Sequence, residues 1–127
     1  MGDRGNIVVL QHGYGYGDGD APDGAIYLYT HWRGSELPSL LATGLDRGRS
    51  RWTDEPYLTR IIFDALTGGD HETTGFGIST RLGDNEHPIL VVDTDRQRVA
   101  SRHEGGEIAV PVHEDEGWSF EEFLRTT

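Results

Sequence analysis

Six histidines and twenty-two acidic residues are the groups in this 127-residue chain that could move a proton or hold a metal, and their spacing limits what they can do. His71-Glu72, Glu86-His87, His103-Glu104 and His113-Glu114 are sequence neighbours, none at the i, i+4 helical spacing of a zinc-protease helix. No resident metal or cofactor is expected, although ligands from distant segments could still meet. Cysteine is absent, which removes thiol nucleophiles, cysteine metal sites and disulfides, and fits a reducing compartment. Asp18, Asp20 and Asp23 resemble part of a calcium loop, but Pro22 interrupts the alternation and no closing glutamate follows. Gly13, Gly15 and Gly17 do not fit G-x-G-x-x-G, and a chain without lysine cannot supply a P-loop. Asp93 and Asp95 follow an apolar run and read first as turn formers, with a base or metal role as the alternative.

What remains is a polar junction. Thr30, His31, Arg33 and Ser35 fall where an aromatic strand, Ala25 to Trp32, breaks at Arg33-Gly34 and turns into a helix. Strand ends facing a helix start commonly present ligand-binding groups, and an imidazole is the side chain type best suited to moving protons under physiological conditions. Arg33, Arg47, Arg49, Arg51 and Arg60 make residues 31–60 a window of one net positive charge on a chain of net charge −11. Guanidinium forks suit phosphates and carboxylates. Thr30, His31, Arg33, Ser35, Arg49 and Arg51 are therefore the candidate ligand-binding residues, with an anionic small molecule of nucleotide or phosphate type, or a protein partner, as the ligand. Pairing of these arginines with the acidic remainder is the competing reading. No catalytic residue is assigned; a hydrolase or transferase using His31 as acid or base beside Ser35, Ser79 or an aspartate is an alternative, and an oligomeric interaction protein is another.

The elements that must position this junction follow from pattern. Arg4–Gln11 reads as an interior strand, apolar on both faces, pairing with 25–32 across a Gly/Asp-rich hairpin loop at 12–24. Along 25–32 Ile26, Leu28, Thr30 and Trp32 share one face, and Tyr27, Tyr29 and His31 the other. Ser35 is placed as the N-cap of a helix over 36–46, and a second helix runs from Asp54 to a stop at Gly68-Gly69. Strands are expected at 74–80, 89–93, 98–101 and 107–112, the first three forming a meander, before a Ser119–Glu122 capping box opens a terminal helix. The expectation is one α+β domain over residues 1–127: a single mostly antiparallel sheet of about five to six strands, a helix pair inserted after strand 2, and a short C-terminal helix.

The charge balance excludes further classes. An acidic, lysine-free surface opposes binding to a nucleic acid backbone and suits concentrated salt, so a halophilic source is one reading. No apolar run approaches the ~20 residues of a membrane span, and the N-terminus lacks a signal-peptide pattern; the chain reads as cytoplasmic, with no membrane partner and with homo-oligomerisation open. Three blocks carry a resemblance: Gly-Asp-Arg-x-Asn-Ile-Val at 2–8, Tyr-Leu-Tyr-Thr-His-Trp-x-Gly-x-Glu-Leu-Pro at 27–38, and Arg-x-Arg-Trp-x-Asp-Glu-Pro-Tyr-Leu-x-Arg-Ile-Ile-Phe at 49–63. Together they resemble a family of small uncharacterised microbial and viral proteins. The resemblance implies no activity and transfers no catalytic residue.

Overall fold

The computed structural model describes residues 2–11 and 24–127. The Gly/Asp-rich hairpin loop and its aspartates, through residue 23, lie outside the described residues. Six strands form one mixed sheet in the order β3-β2-β1-β4-β5-β6, with β1 Gly5–Gln11, β2 Gly24–Thr30, β3 Phe76–Ser79, β4 Ile89–Asp93, β5 Arg98–Arg102 and β6 Trp118–Ser119. β1 lies inside the sheet, antiparallel to β2 and parallel to β4. The other neighbouring pairs are antiparallel. The fold is thus α+β with the expected helix pair after the second strand and the expected short terminal helix. The continuous meander through 74–101 is a correction. β3 pairs with β2 on the outer edge, and the chain crosses to β1 before β4 begins.

Both faces of the sheet are covered, as the unbroken run Ile7-Val8-Val9-Leu10 requires; all four are fully buried. On one face lie α1 (Leu37–Arg47), α2 (Glu55–Thr67) and α3 (Phe120–Thr126). Leu41, Leu45, Leu58, Ile62, Leu66 and Phe120 from these helices pack on Ile7, Val9, Leu28 and Val92. Each such side chain contributes about 1.5–3 kcal/mol of burial. α2 ends as expected at Gly68, in the left-handed conformation, and the Ser119–Glu122 capping box opens α3.

The opposite face is covered by irregular chain: Leu82, Ile108, Ala109 and Val112 close over Val8, Leu10, Ile89 and Val91. Here the strand expected at 107–112 does not form. The guanidinium of Arg102 takes the carbonyl oxygens of Ile108 (2.6 Å), Val110 (2.7 Å) and Pro111 (3.1 Å), the groups a ladder would have used. Pro111 has no N–H to give in return.

Candidate functional site

The junction after β2 is built by hydrogen bonds from the strand itself. Thr30 is fully buried, and its hydroxyl oxygen accepts from the backbone N–H of Arg33 (3.1 Å) and, more weakly, of Trp32 (3.4 Å). That side-chain turn ends β2 at Thr30, so His31 and Trp32 leave the strand, against the expectation of a strand through 32. His31 shares a 2.9 Å hydrogen bond between its Nδ1 and the Tyr29 hydroxyl. Its ring meets that of Trp32 edge-on at 5.1 Å between centroids. Trp32 remains 51% exposed.

Ser35 does not cap α1. Residues Gly34–Glu36 form a single turn of 3₁₀ helix ahead of Leu37, and no side chain caps either start. Instead Asp3 reaches in from the segment before β1. Its Oδ2 accepts from the Ser35 hydroxyl at 2.6 Å and from the Ser35 backbone N–H at 3.0 Å, while its Oδ1 is paired with His87 Nε2. These bonds, the Ser35 hydroxyl first, hold the Asp3 carboxyl down at about 2. Backbone bonds tighten the join: Asp3 N–H donates to His31 O and Gly34 N–H to Asp3 O, both at 2.7 Å. Only glycine fits at position 34, where a Cβ would stand 2.7 Å from Asp3 O and 2.9 Å from Arg4 C.

His87 is delivered by the loop before β4, which is pinned by a buried side chain. Asn6 donates to Gly83 O, Asp84 O and Asn85 Oδ1 and accepts from Gly83 N–H. Arg4 binds Glu86 through both its backbone N–H (2.9 Å) and its Nε (3.0 Å), lowering the Glu86 carboxyl. Tyr29 lies beside this loop, and its hydroxyl pKa is raised by burial and by the charge of Asp84.

The six residues expected from sequence do not form one site. Thr30, His31, Arg33 and Ser35 gather at the junction. Arg33 pairs there with Glu36 (3.2 Å) and donates to Leu66 O (3.3 Å) near the end of α2. Arg49 and Arg51 sit in a 3₁₀ turn at the other end of α2, about 18 Å away along its axis. There Arg49 pairs with Asp46 (2.9 Å) and Glu121 (3.0 Å). Arg51 pairs with Asp54 (3.5 Å) and stacks over Tyr57. Arg33, Arg49 and Arg51 are therefore each paired with a carboxylate. Around the junction Asp3, Glu36, Asp84 and Glu86 face two guanidiniums, Arg4 and Arg33, so the local field is negative.

Asp93 lies far from this site, at the opposite end of the sheet. It is fully buried and accepts from the N–H groups of Arg96 (3.1 Å) and Val112 (3.0 Å), as a turn former does. A shallow cleft of about 250 Å³ beside it is lined by Arg96, Pro111, Val112, His113 and Glu114. Among the described residues no group of three or more His, Asp or Glu could hold a metal ion, and no helix is long and apolar enough to cross a membrane.

Asp3 and His87 are the junction residues that sequence reasoning did not find. His87 stood out only as a neighbour of Glu86, and nothing in the spacing of residues 3, 35 and 87 announces that three segments meet. By architecture this is a two-layer α+β protein with a polar junction at one end of its sheet. Comparison of the chain with family models, with curated proteins and with solved structures gives no match.

Proposed function

We propose that this is a small acidic binding protein that engages a protein partner at the junction after β2, with Trp32 as the apolar anchor and Thr30, His31, Arg33 and Ser35 as its rigid mount. The single observation that carries the reading is a tryptophan half exposed on a fully hydrogen-bonded platform. A large apolar side chain held in one place loses little entropy on binding, which is why tryptophan dominates binding hot spots. The negative field of the junction favours a partner segment bearing lysine or arginine. A small anion is the weaker form of the reading, because Arg33, Arg49 and Arg51 already hold carboxylates that it would have to displace.

The geometry gives little support to hydrolysis or group transfer. The Ser35 hydroxyl donates to Asp3, not to a histidine, and a carboxylate held at about 2 is a poor base for activating a hydroxyl. His31 faces the Tyr29 hydroxyl and the Trp32 ring, neither of which orients it toward a nucleophile.

The test is an amide chemical-shift titration with three probes: an extended lysine/arginine-rich peptide library, inorganic phosphate and ATP. The expected result is that basic peptides shift the amides of residues 30–36 and that Trp32→Ala weakens them at least about tenfold, or roughly 1.4 kcal/mol. Shifts produced by phosphate or ATP with none from any peptide would replace the partner reading with the anion reading.

A further inference from the structure

We infer that the outer edge of β3 is a self-association surface through which two copies of this chain join their sheets. This does not rest on the partner reading above. The two edges of the sheet are treated differently. At one edge β6 is only two residues long, Trp118–Ser119, and gives way at once to α3. Beyond it, Arg102 occupies the carbonyls of the covering segment. At the other edge β3 pairs with β2 on one side, and no described strand pairs with its outer side. Edge strands are normally guarded by charge, proline or a bulge. β3, Phe76-Gly77-Ile78-Ser79, carries neither charge nor proline, and pairs with β2 in unbroken register.

The direction of its free groups follows from pairing. His31 N–H donates to Gly75 O at 2.8 Å, which makes 31 and 75 a hydrogen-bonded pair in the β2–β3 register. By alternation Gly77 and Ser79 also turn their backbone groups toward β2, and Phe76 and Ile78 turn theirs outward. Ile78, opposite Leu28 on the helix side of the sheet, is 60% exposed.

Only one antiparallel register of β3 against itself uses every outward group within the strand. It places a two-fold axis at Gly77 and sets Phe76 against the partner's Ile78, and Ile78 against the partner's Phe76. Each pair exchanges two N–H···O=C bonds, and on the helix side an aromatic ring meets a β-branched side chain, a favourable cross-strand pair. Gly77 meets its own copy on the axis with no side chain to clash, and no charge opposes its like. Pairing of β3 with a second β3 closes at two copies, as an isologous contact must.

A second copy is favoured over other occupants because the strand is neutral and self-complementary within a chain of net charge −11. That charge repels at long range, and salt removes the repulsion without touching the contact. Four-residue strands also put the interface at the small end of the known range, below about 1,200 Å² in total. The dimer is therefore expected to be weak, to grow with concentration and to strengthen with salt.

Light scattering and sedimentation over a protein concentration series, at about 0.1 M and 1 M NaCl, test this. The mass is expected to rise from 14.1 kDa toward twice that value, and to do so at lower concentration in the higher salt. Ile78→Pro removes an outward N–H while leaving the bonds to β2, so it should stay monomeric with an unchanged circular dichroism spectrum. Should that variant unfold, amide exchange on the wild type decides: Phe76 and Ile78 N–H should gain protection as the mass rises, whereas Gly77 and Ser79 start protected. A mass of 14.1 kDa at every concentration and salt, a folded Ile78→Pro that still dimerises, or exchange at Phe76 and Ile78 that ignores concentration would each overturn the proposal.

Discussion

Asp3 is one short side chain, yet it ties the segment before β1 to the turn after β2 and to the loop before β4. Its folded carboxyl sits at about 2 against an ordinary 3.8. A depressed acid of this kind contributes stability that is complete above about pH 4 and is lost as pH falls toward about 2. Asp3→Asn should therefore flatten that part of the stability-versus-pH curve relative to wild type, read by urea unfolding at stepped pH. Curves that stay parallel from pH 5 to pH 2 would mean that Asp3 carries no such linkage. Arg102 plays the matching role on the loop-covered face. Its side chain is only 10% exposed, and it grips Glu116 at 2.9 Å besides three carbonyl oxygens. An ammonium cannot reproduce that fork, so Arg102→Lys should lower unfolding free energy by about 2–4 kcal/mol. Little dependence on salt is expected, because the group is buried. A loss under about 0.5 kcal/mol, typical of surface sites, would show the contacts to be incidental.

Elements written in strong local patterns were legible from sequence, and those decided by a distant side chain were not. β1, β4, α2 and the capping box of α3 appear essentially where hydrophobic runs, Pro56, Gly68 and Ser119–Glu122 put them. The failures share a cause. Ser35 has the right type for a cap, but Asp3, 32 residues away, claims its hydroxyl. Residues 107–112 have strand composition, but Arg102 claims their carbonyls. Arg49 and Arg51 look available until Glu121 and Asp54 are brought beside them. The polar junction was found as a place, since Arg33-Gly34 breaks the aromatic run, but its chemistry depends on segments 3 and 87. Trp32 shows how one connection shapes another: it lies over Gly75, which has φ +102° and whose Cβ would stand 2.3 Å from the indole ring. Gly75→Ala should push the indole off the entry to β3 and strain the backbone, destabilising the fold by about 1–3 kcal/mol. The Trp32 indole N–H resonance should move while those of Trp52 and Trp118 stay in place. An unmoved Trp32 resonance would mean that the ring is not seated on the glycine.

For the molecule as a whole, two electrostatic effects oppose each other, and their balance can be measured. The pairs Arg4–Glu86, Arg33–Glu36, Arg49–Asp46 and Arg60–Asp64 are largely solvent-exposed. Pairs of this kind contribute about 0–1 kcal/mol each and weaken as salt rises. Against them stands a net charge of −11, whose self-repulsion acts over the whole surface and is relieved by the same salt. Twenty-two acids and eleven arginines leave half the carboxylates without a cationic counterpart, so the repulsion should dominate. The thermal midpoint is then expected to rise as NaCl goes from about 0.1 M to about 1 M, over which the screening length contracts from about 10 Å to about 3 Å. The measurement belongs at low protein concentration, so that coupling to a dimer does not add to it. Repeating it on Asp70→Asn and Glu104→Gln, both exposed positions, should raise the low-salt midpoint and shrink the salt response together. A midpoint that falls with salt in the wild type would reverse the ordering and make the exposed ion pairs, not the excess acidity, the governing electrostatic feature of this fold.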